Sequence, residues 1–261
     1  MKYRGYKFGK AAISYHQASS VQKEMAEILC GFLPESIPTG NILELGCGTG
    51  HLSRLLLEFF PKASLTLSDI APEMLQQCFQ LVPIGDFKGS VTWECIDAES
   101  SWGKESLSLI CSNALIQWIS NLTAHLQEAA KCLVPGGYYL FSGFSDDNFP
   151  ELKTLLRRDP FCFTTFPGYP LEKIKEELQS TGFTPIKYME QKKQIYYPSF
   201  IIFLKKLKEI GANGRKNIIM TRGRLNFLKE QYTRLNGIGN NVLATWKPWF
   251  CLAQKEPSTE K

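Results

Sequence analysis

The chain has 261 residues, 44% of them hydrophobic, with 30 basic and 25 acidic side chains and a net charge of +5. That length supports one domain of ordinary core size with at most a small appended subdomain. No run of about 18 apolar residues occurs, which excludes a transmembrane helix, and the opening Met1-Lys-Tyr-Arg-Gly-Tyr-Lys-Phe8 has no apolar stretch behind it to make a secretory signal. The eight cysteines (Cys30, Cys47, Cys78, Cys95, Cys111, Cys132, Cys162 and Cys251) form no CxxC pair and fall inside apparent strands and helices. They read as small buried hydrophobes of a reducing, cytoplasmic compartment. His16, His51 and His125 show no ligand spacing, so no metal is expected.

In chain order, Phe8–Tyr15 leads into a helical segment through Leu33, ended by Pro34, Pro38 and Gly40. A short apolar strand, Asn41–Leu45, meets glycines at 46, 48 and 50, and a helical pattern, His51–Phe60, follows at once. Leu65–Asp69 is a second strand, with Pro72 suited to the first turn of the next helix. Val91–Ile96 is a third strand with Asp97 at its end, and Leu107–Ser112 a fourth. Asn121 is set to cap a helix through Leu133 that Pro135-Gly-Gly137 stops, and Tyr138–Ser142 is a fifth strand. This alternation predicts an α/β fold with a doubly wound, mainly parallel, Rossmann-like sheet. After Gly143 the rhythm breaks. Helices are expected near Pro150–Arg158 and Leu171–Ser180, with the aromatic loop Pro160–Pro170 between them and Gly182 as a cap. A sixth strand is expected over Ile186–Tyr197, a basic helical insertion over Pro198–Leu235, and a last antiparallel strand over Asn241–Gln254 that completes seven. One domain is expected, with residues 1–40 as a helical cover, 144–182 and 198–235 as lid segments, and a disordered tail, Lys255–Lys261.

The glycine spacing is GxGxG, not the GxGxxG of dinucleotide sites. Glu44, two residues before the first glycine, is badly placed for a pyrophosphate and well placed for a cationic or amino-bearing ligand. Asp69, at the tip of the second strand, can accept both hydroxyls of a ribose, and Asp97, at the tip of the third, can accept from an adenine amino group. A ligand with adenosine, a sulfonium, an α-amino group and no phosphate is S-adenosylmethionine. Together these features resemble the class I S-adenosylmethionine-dependent methyltransferases. The resemblance implies Glu44, Gly46, Gly48, Gly50, Asp69, Ile70, Asp97, Ala98 and Asn113 as the residues that hold the cofactor.

Three further segments narrow the resemblance: Phe8-Gly-Lys-Ala-Ala-Ile-Ser-Tyr15 with Gln22 beyond it, Ser112-Asn-Ala-Leu-Ile-Gln-Trp118, and Leu204-Lys-Lys-Leu-Lys-Glu-Ile-Gly-Ala-Asn213 followed by Met220-Thr-Arg222. The chain is similar to the malonyl-acyl carrier protein O-methyltransferases, which act at the start of the pimelate part of biotin synthesis. This implies methyl transfer to the free carboxylate of a malonyl thioester, with an acyl carrier protein as partner and neither nucleic acid nor membrane involved. A monomer is expected. Tyr15, Gln117 and Trp118 are the implied pocket residues and Arg222 the implied carboxylate partner. Cys47 reads as packing, and alternation lets at most one of Tyr196 and Tyr197 face the pocket. Pro248 departs from the family pattern and predicts an edge position or a bulge. From Lys187 to Arg234 the sequence carries twelve basic residues against Glu190, Glu209 and Glu230; this is either a solvated surface or a docking face for an acidic partner. A small-molecule carboxyl methyltransferase of the trans-aconitate kind and a non-catalytic assembly factor on the same fold are the alternative readings.

Overall fold

A computed structural model describes residue 9 and residues 12–37, 40–103, 106–157, 167–211 and 221–257. The first half is built as the alternation predicts. Helix α1 (Ser20–Cys30) precedes β1 (Asn41–Leu45), α2 (His51–Phe59), β2 (Ser64–Asp69), α3 (Pro72–Leu81), β3 (Ser90–Cys95) and β4 (Leu107–Ser112). Helix α4 (Leu122–Cys132) then runs directly into β5 (Leu133–Phe144). Asn121 caps α4 by accepting from Ala124 N–H, and Pro72 opens α3. Pro135-Gly-Gly137 does not separate α4 from the strand; the strand begins at Leu133 and contains them.

The main sheet has seven strands in the order β3-β2-β1-β4-β5-β10-β6, counting β6 (Phe183–Glu190) and β10 (Pro248–Lys255). Strands β1 to β5 pair in parallel, and β10 runs antiparallel to both of its neighbours. The chain crosses from β3 back over β1 to reach β4, so the carboxyl ends of β1 and β4 flank a topological switch point, where open α/β sheets hold their ligands. Each sheet face carries its own core. On one face the α1 side chains Met25 and Leu29 and the α2 side chains Leu52 and Leu56 are buried; on the other, Leu126 and Ala129 of α4 meet Ile174 and Leu178 of α6 (Leu171–Ser180).

Two strands expected to be single are each split. The expected Ile186–Tyr197 strand is β6 plus β7 (Lys193–Tyr197), and the expected last strand is β9 (Asn241–Trp246) plus β10. The β7 and β9 halves form a separate three-stranded sheet with β8 (Gly237–Ile238), in the order β7-β9-β8. One antiparallel ribbon bends at residues 191–192 on one side and Lys247 on the other, half in the main sheet and half in the small one. Pro248 starts β10 at this bend, a strand position where its missing N–H costs little. The bend is pinned: Ser145 N–H donates to Lys247 O at 2.9 Å, and Lys247 N–H donates to Asn148 Oδ1 at 2.8 Å. The segments expected as a lid are therefore part sheet, with α5 (Pro150–Arg157), α7 (Phe200–Glu209) and α8 (Arg222–Asn236) beside it. Their aromatic core stacks Phe200 on Tyr232 and sets Phe149 edge-on to Phe203 and Trp246. Lys255 ends β10 instead of opening a tail; most of the expected aromatic loop, Ala212 and Asn213, Met220 and residues 258–261 lie outside the described residues.

Candidate active-site cleft

At the carboxyl ends of β1, β2 and β4 a cleft opens, enclosing about 1150 Å³ counting its mouth. Ligand pockets commonly hold about 300–1,000 Å³. One end is formed by Gly46, Gly48, Asp69, Ile70, Asp97 and Ala98, and the other is walled by Phe144, Phe149, Trp246 and Ile210. Asn113, Gln117 and Trp118 lie on the turn after β4, and Tyr15 reaches the cleft from helical residues 12–18.

Asp69 organises the first end. Gly48 N–H donates to its Oδ2 at 3.0 Å and Ala71 N–H to its Oδ1 at 2.9 Å. The carboxylate thus fixes the glycine loop and the entry to α3. Each oxygen keeps acceptor capacity for a further donor, as a pair of ribose hydroxyls requires. Burial pushes its pKa up to about 6 against the lowering effect of these backbone bonds. Gly48 has φ +55° and comes close only to the Tyr15 ring, so its backbone is open to a ligand. Asp97 accepts from Glu99 N–H at 2.9 Å and stands half-buried at the cleft.

Three expected site residues are placed elsewhere. Glu44 is 1% exposed and lies beneath the loop, where Ser53 Oγ donates to its Oε2 at 2.6 Å. Burial pushes its pKa up to about 8, so at neutral pH it is largely uncharged and does not face the cleft. Gly50 is a packing glycine. It caps α2 at φ +88°, and a Cβ there would stand 2.2 Å from Val82 Cγ2. Arg222 is exposed in the first turn of α8 and is not among the residues that line the cleft. No arginine, lysine or histidine is among the described residues that line the cleft.

The turn after β4 is tightly held. Ala114 takes the left-handed φ of +54°, and its N–H donates to Ser142 Oγ at 3.0 Å. Ser142 Oγ donates in turn to Asn113 Oδ1 at 2.8 Å, and Asn113 Nδ2 donates to Gln22 O at 2.8 Å. Asn113 thereby ties the N-terminal cover to the sheet. Gln117 Nε2 donates to Ala114 O at 2.6 Å. Burial, reinforced by the Asp69 charge, holds the Tyr15 hydroxyl protonated, as a neutral hydrogen-bonding group. Neither Tyr196 nor Tyr197 lines the cleft: Tyr196 is exposed, and Tyr197 is buried and accepts from Trp246 Nε1.

Sequence reasoning missed Gln22 as a cleft residue. The signal was available, since Gln22 shares one face of α1 with buried Met25, Ala26 and Leu29. It also missed that two of the scattered histidines meet. His16 and His51 stack at 4.6 Å, held by Thr49 and Ser19, and burial drives the His51 pKa down to about 4. His125 is a satisfied core residue between Ala98 O and the Tyr139 hydroxyl. Among the described residues no cluster of His, Cys, Asp and Glu could hold a metal, and no helix is long and apolar enough to cross a membrane. Cys47 is buried as packing, its thiol kept protonated by its contact with Cys78 and by burial.

The basic run divides. Lys187 donates to Gly31 O, and Lys193 pairs with Glu24, both against α1. Helices α7 and α8 carry seven basic side chains against Glu209 and Glu230, an excess equal to the net charge of the whole chain. Ile210, just past α7, lines the cleft.

A family model described as a methyltransferase domain matches residues 17–188. The malonyl-[acyl-carrier protein] O-methyltransferase of Methylococcus capsulatus is 33% identical over 258 residues, covering 96% of this chain and 92% of that protein. The protein of the same name from Anoxybacillus flavithermus is 35% identical over 214 residues, covering 79% and 78%. Among solved structures, the YcgJ protein of Bacillus subtilis aligns with a TM-score of 0.61 at 14% identity over 90% of this chain and 99% of that one, a likeness of fold.

Proposed function

We infer, from the premise that this chain belongs to the methyltransferase-domain family of malonyl-acyl carrier protein O-methyltransferases, that it methylates the free carboxylate of a malonyl group carried on acyl carrier protein. The product is the malonyl methyl ester that primes pimelate and biotin synthesis. The observation that carries the reading is a single cleft joining the strand-tip carboxylates Asp69 and Asp97 to an end walled by Phe144, Phe149 and Trp246.

S-adenosylmethionine, when bound, supplies the methyl group on its sulfonium. The residues present fit it: Asp69 offers acceptors for the ribose hydroxyls, Asp97 for the adenine amino group, and Gly48 leaves the backbone open beside Gly46. Ile70, Ala98 and Asn113 complete that wall. Glu44 supports the loop from below and makes no contact of its own.

The acceptor carboxylate has an ordinary pKa of about 4 and is ionised at neutral pH. No general base is required, which suits a cleft whose described lining holds no histidine or lysine. The protein's task is alignment and exclusion of water, and positioning alone can lower a barrier by about 7–11 kcal/mol. Trp118, Phe149 and Trp246 exclude water, while the Tyr15 hydroxyl and Asn148 amide offer neutral donors that orient the carboxylate without quenching it. Helices α7 and α8 dock the acidic carrier, with its acyl arm entering past Ile210.

The reading is tested with a panel of carrier-bound acyl groups. Malonyl should accept label from methyl-labelled S-adenosylmethionine, and acetyl, which lacks the free carboxylate, should not. Equal labelling of both would place the methyl elsewhere and overturn it.

A further inference from the structure

The motif reading places Glu44 against the amino group of the cofactor, and the fold seals Glu44 under the loop with Ser53 as its partner. An ammonium in the cleft then needs other acceptors. Two are present. Gln22 and Gln117 are only 6% and 5% exposed, both line the cleft, and in each the side-chain oxygen is buried without a hydrogen-bond partner among the described residues. A buried acceptor left unpaired costs about 1–3 kcal/mol, so such a pair marks the place of a missing donor.

The orientation of Gln117 is fixed. Its Nε2 is engaged by Ala114 O at 2.6 Å, and an exchange of its amide ends would set oxygen against oxygen. The free end is therefore the acceptor. An ionised acceptor carboxylate brings no donor and would be repelled there, so Gln117 does not hold the malonyl group. The same turn packs on the glycine loop: Leu115 Cδ1 is the nearest atom to the space over Gly46. That contact favours the cofactor's amino-acid end over the acyl arm as the source of the donor.

We propose that Gln22 and Gln117 form a neutral acceptor subsite that binds the α-ammonium group of S-adenosylmethionine. The proposal rests on the methyltransferase reading above. A neutral pair can hold the ammonium without adding negative charge where the anionic acceptor must approach.

The test is calorimetric and needs no turnover. S-adenosylhomocysteine carries the ammonium, and 5′-methylthioadenosine lacks the whole amino-acid end. Gln117→Met and Gln22→Met keep side-chain length and remove the acceptor. Each should weaken S-adenosylhomocysteine binding by about ten- to a hundredfold, while methylthioadenosine binding, which also reports a folded site, stays unchanged. Gln22→Glu, which keeps an acceptor at the same place, should retain most of the affinity, whereas Gln117 must keep its Nε2 donor to Ala114 O. Equal losses on both nucleosides, or none on either, would overturn the proposal. So would unchanged S-adenosylhomocysteine affinity with a raised KM for the malonyl thioester, which would assign the donor to an amide of the acyl arm. Failure of the unaltered chain to bind either nucleoside would overturn the cofactor reading itself.

Discussion

Glu44→Gln separates the structural account of the glycine loop from the motif account. In the fold, Glu44 is sealed beneath the loop, accepts from Ser53 Oγ, and has its pKa raised from 4.5 to about 8 by burial first and by the Cys78 thiol second. A carboxyl whose folded pKa lies above its unfolded one contributes stability that is complete below about pH 4.5 and is lost as pH climbs through about 8. Glutamine can accept the same Ser53 bond and never ionises. With each pKa step worth about 1.36 kcal/mol, the variant should gain about 2–3 kcal/mol over the native chain between about pH 6 and about pH 9. For a chain of this size that is roughly 5–10 °C in melting temperature. Thermal denaturation of both proteins across that pH range measures it, and titrations common to both largely cancel in the difference. S-adenosylhomocysteine affinity at about pH 7 should stay within about twofold, since Glu44 is not at the cleft. A constant gap in melting temperature, or a large loss of affinity, would refute the reasoning.

Three other outcomes follow from the same geometry. Asp69→Ala should weaken cofactor affinity by about tenfold or more and also lower stability by about 2 kcal/mol, because Gly48 and Ala71 lose their acceptor; calorimetry and melting read both, and an effect on neither would dismiss its role. Arg222→Ala should keep kcat/KM for malonyl-coenzyme A within about twofold, since Arg222 stands exposed on α8; a steep rise in KM would return it to the carboxylate. Reversing Lys205, Lys206 and Lys208 to Glu should reduce kcat/KM at least about tenfold on malonyl-acyl carrier protein, in a salt-sensitive way, and far less on malonyl-coenzyme A. Equal losses on the two thioesters would assign the lysines to folding or the cleft.

The parallel half of the sheet was legible because strand, turn and helix signals alternate there at a regular spacing. The place of Asp69 and Asp97 at the cleft was legible because the carboxyl ends of the strands line the crevice of an open α/β sheet. Glu44 misled because the motif gives its place in the chain and says nothing of which side of the loop its side chain takes. Strand alternation fixes that side only once the opposing helix, with Ser53, is known. The ribbon through β6–β7 and β9–β10 reads as two long strands, since its propensity continues across the bend. What bends it is tertiary, the backbone bonds of Lys247 to Ser145 and Asn148. The stacking of His16 on His51 joins residues 35 apart and has no local signature. The exposed turn on which Arg222 stands has no signature in the Thr-Arg dipeptide itself.

The central claim is that the methyl acceptor is the malonyl carboxylate on an acyl carrier protein. Intact-mass measurement of malonyl-acyl carrier protein after incubation with the purified chain and S-adenosylmethionine tests it most directly. The account predicts a gain of one CH2 on malonyl-acyl carrier protein and none on acetyl-acyl carrier protein, which lacks the free carboxylate. It also predicts a higher kcat/KM on malonyl-acyl carrier protein than on malonyl-coenzyme A. A chain that binds S-adenosylmethionine, leaves both thioesters unmodified and methylates a free small dicarboxylate would contradict it.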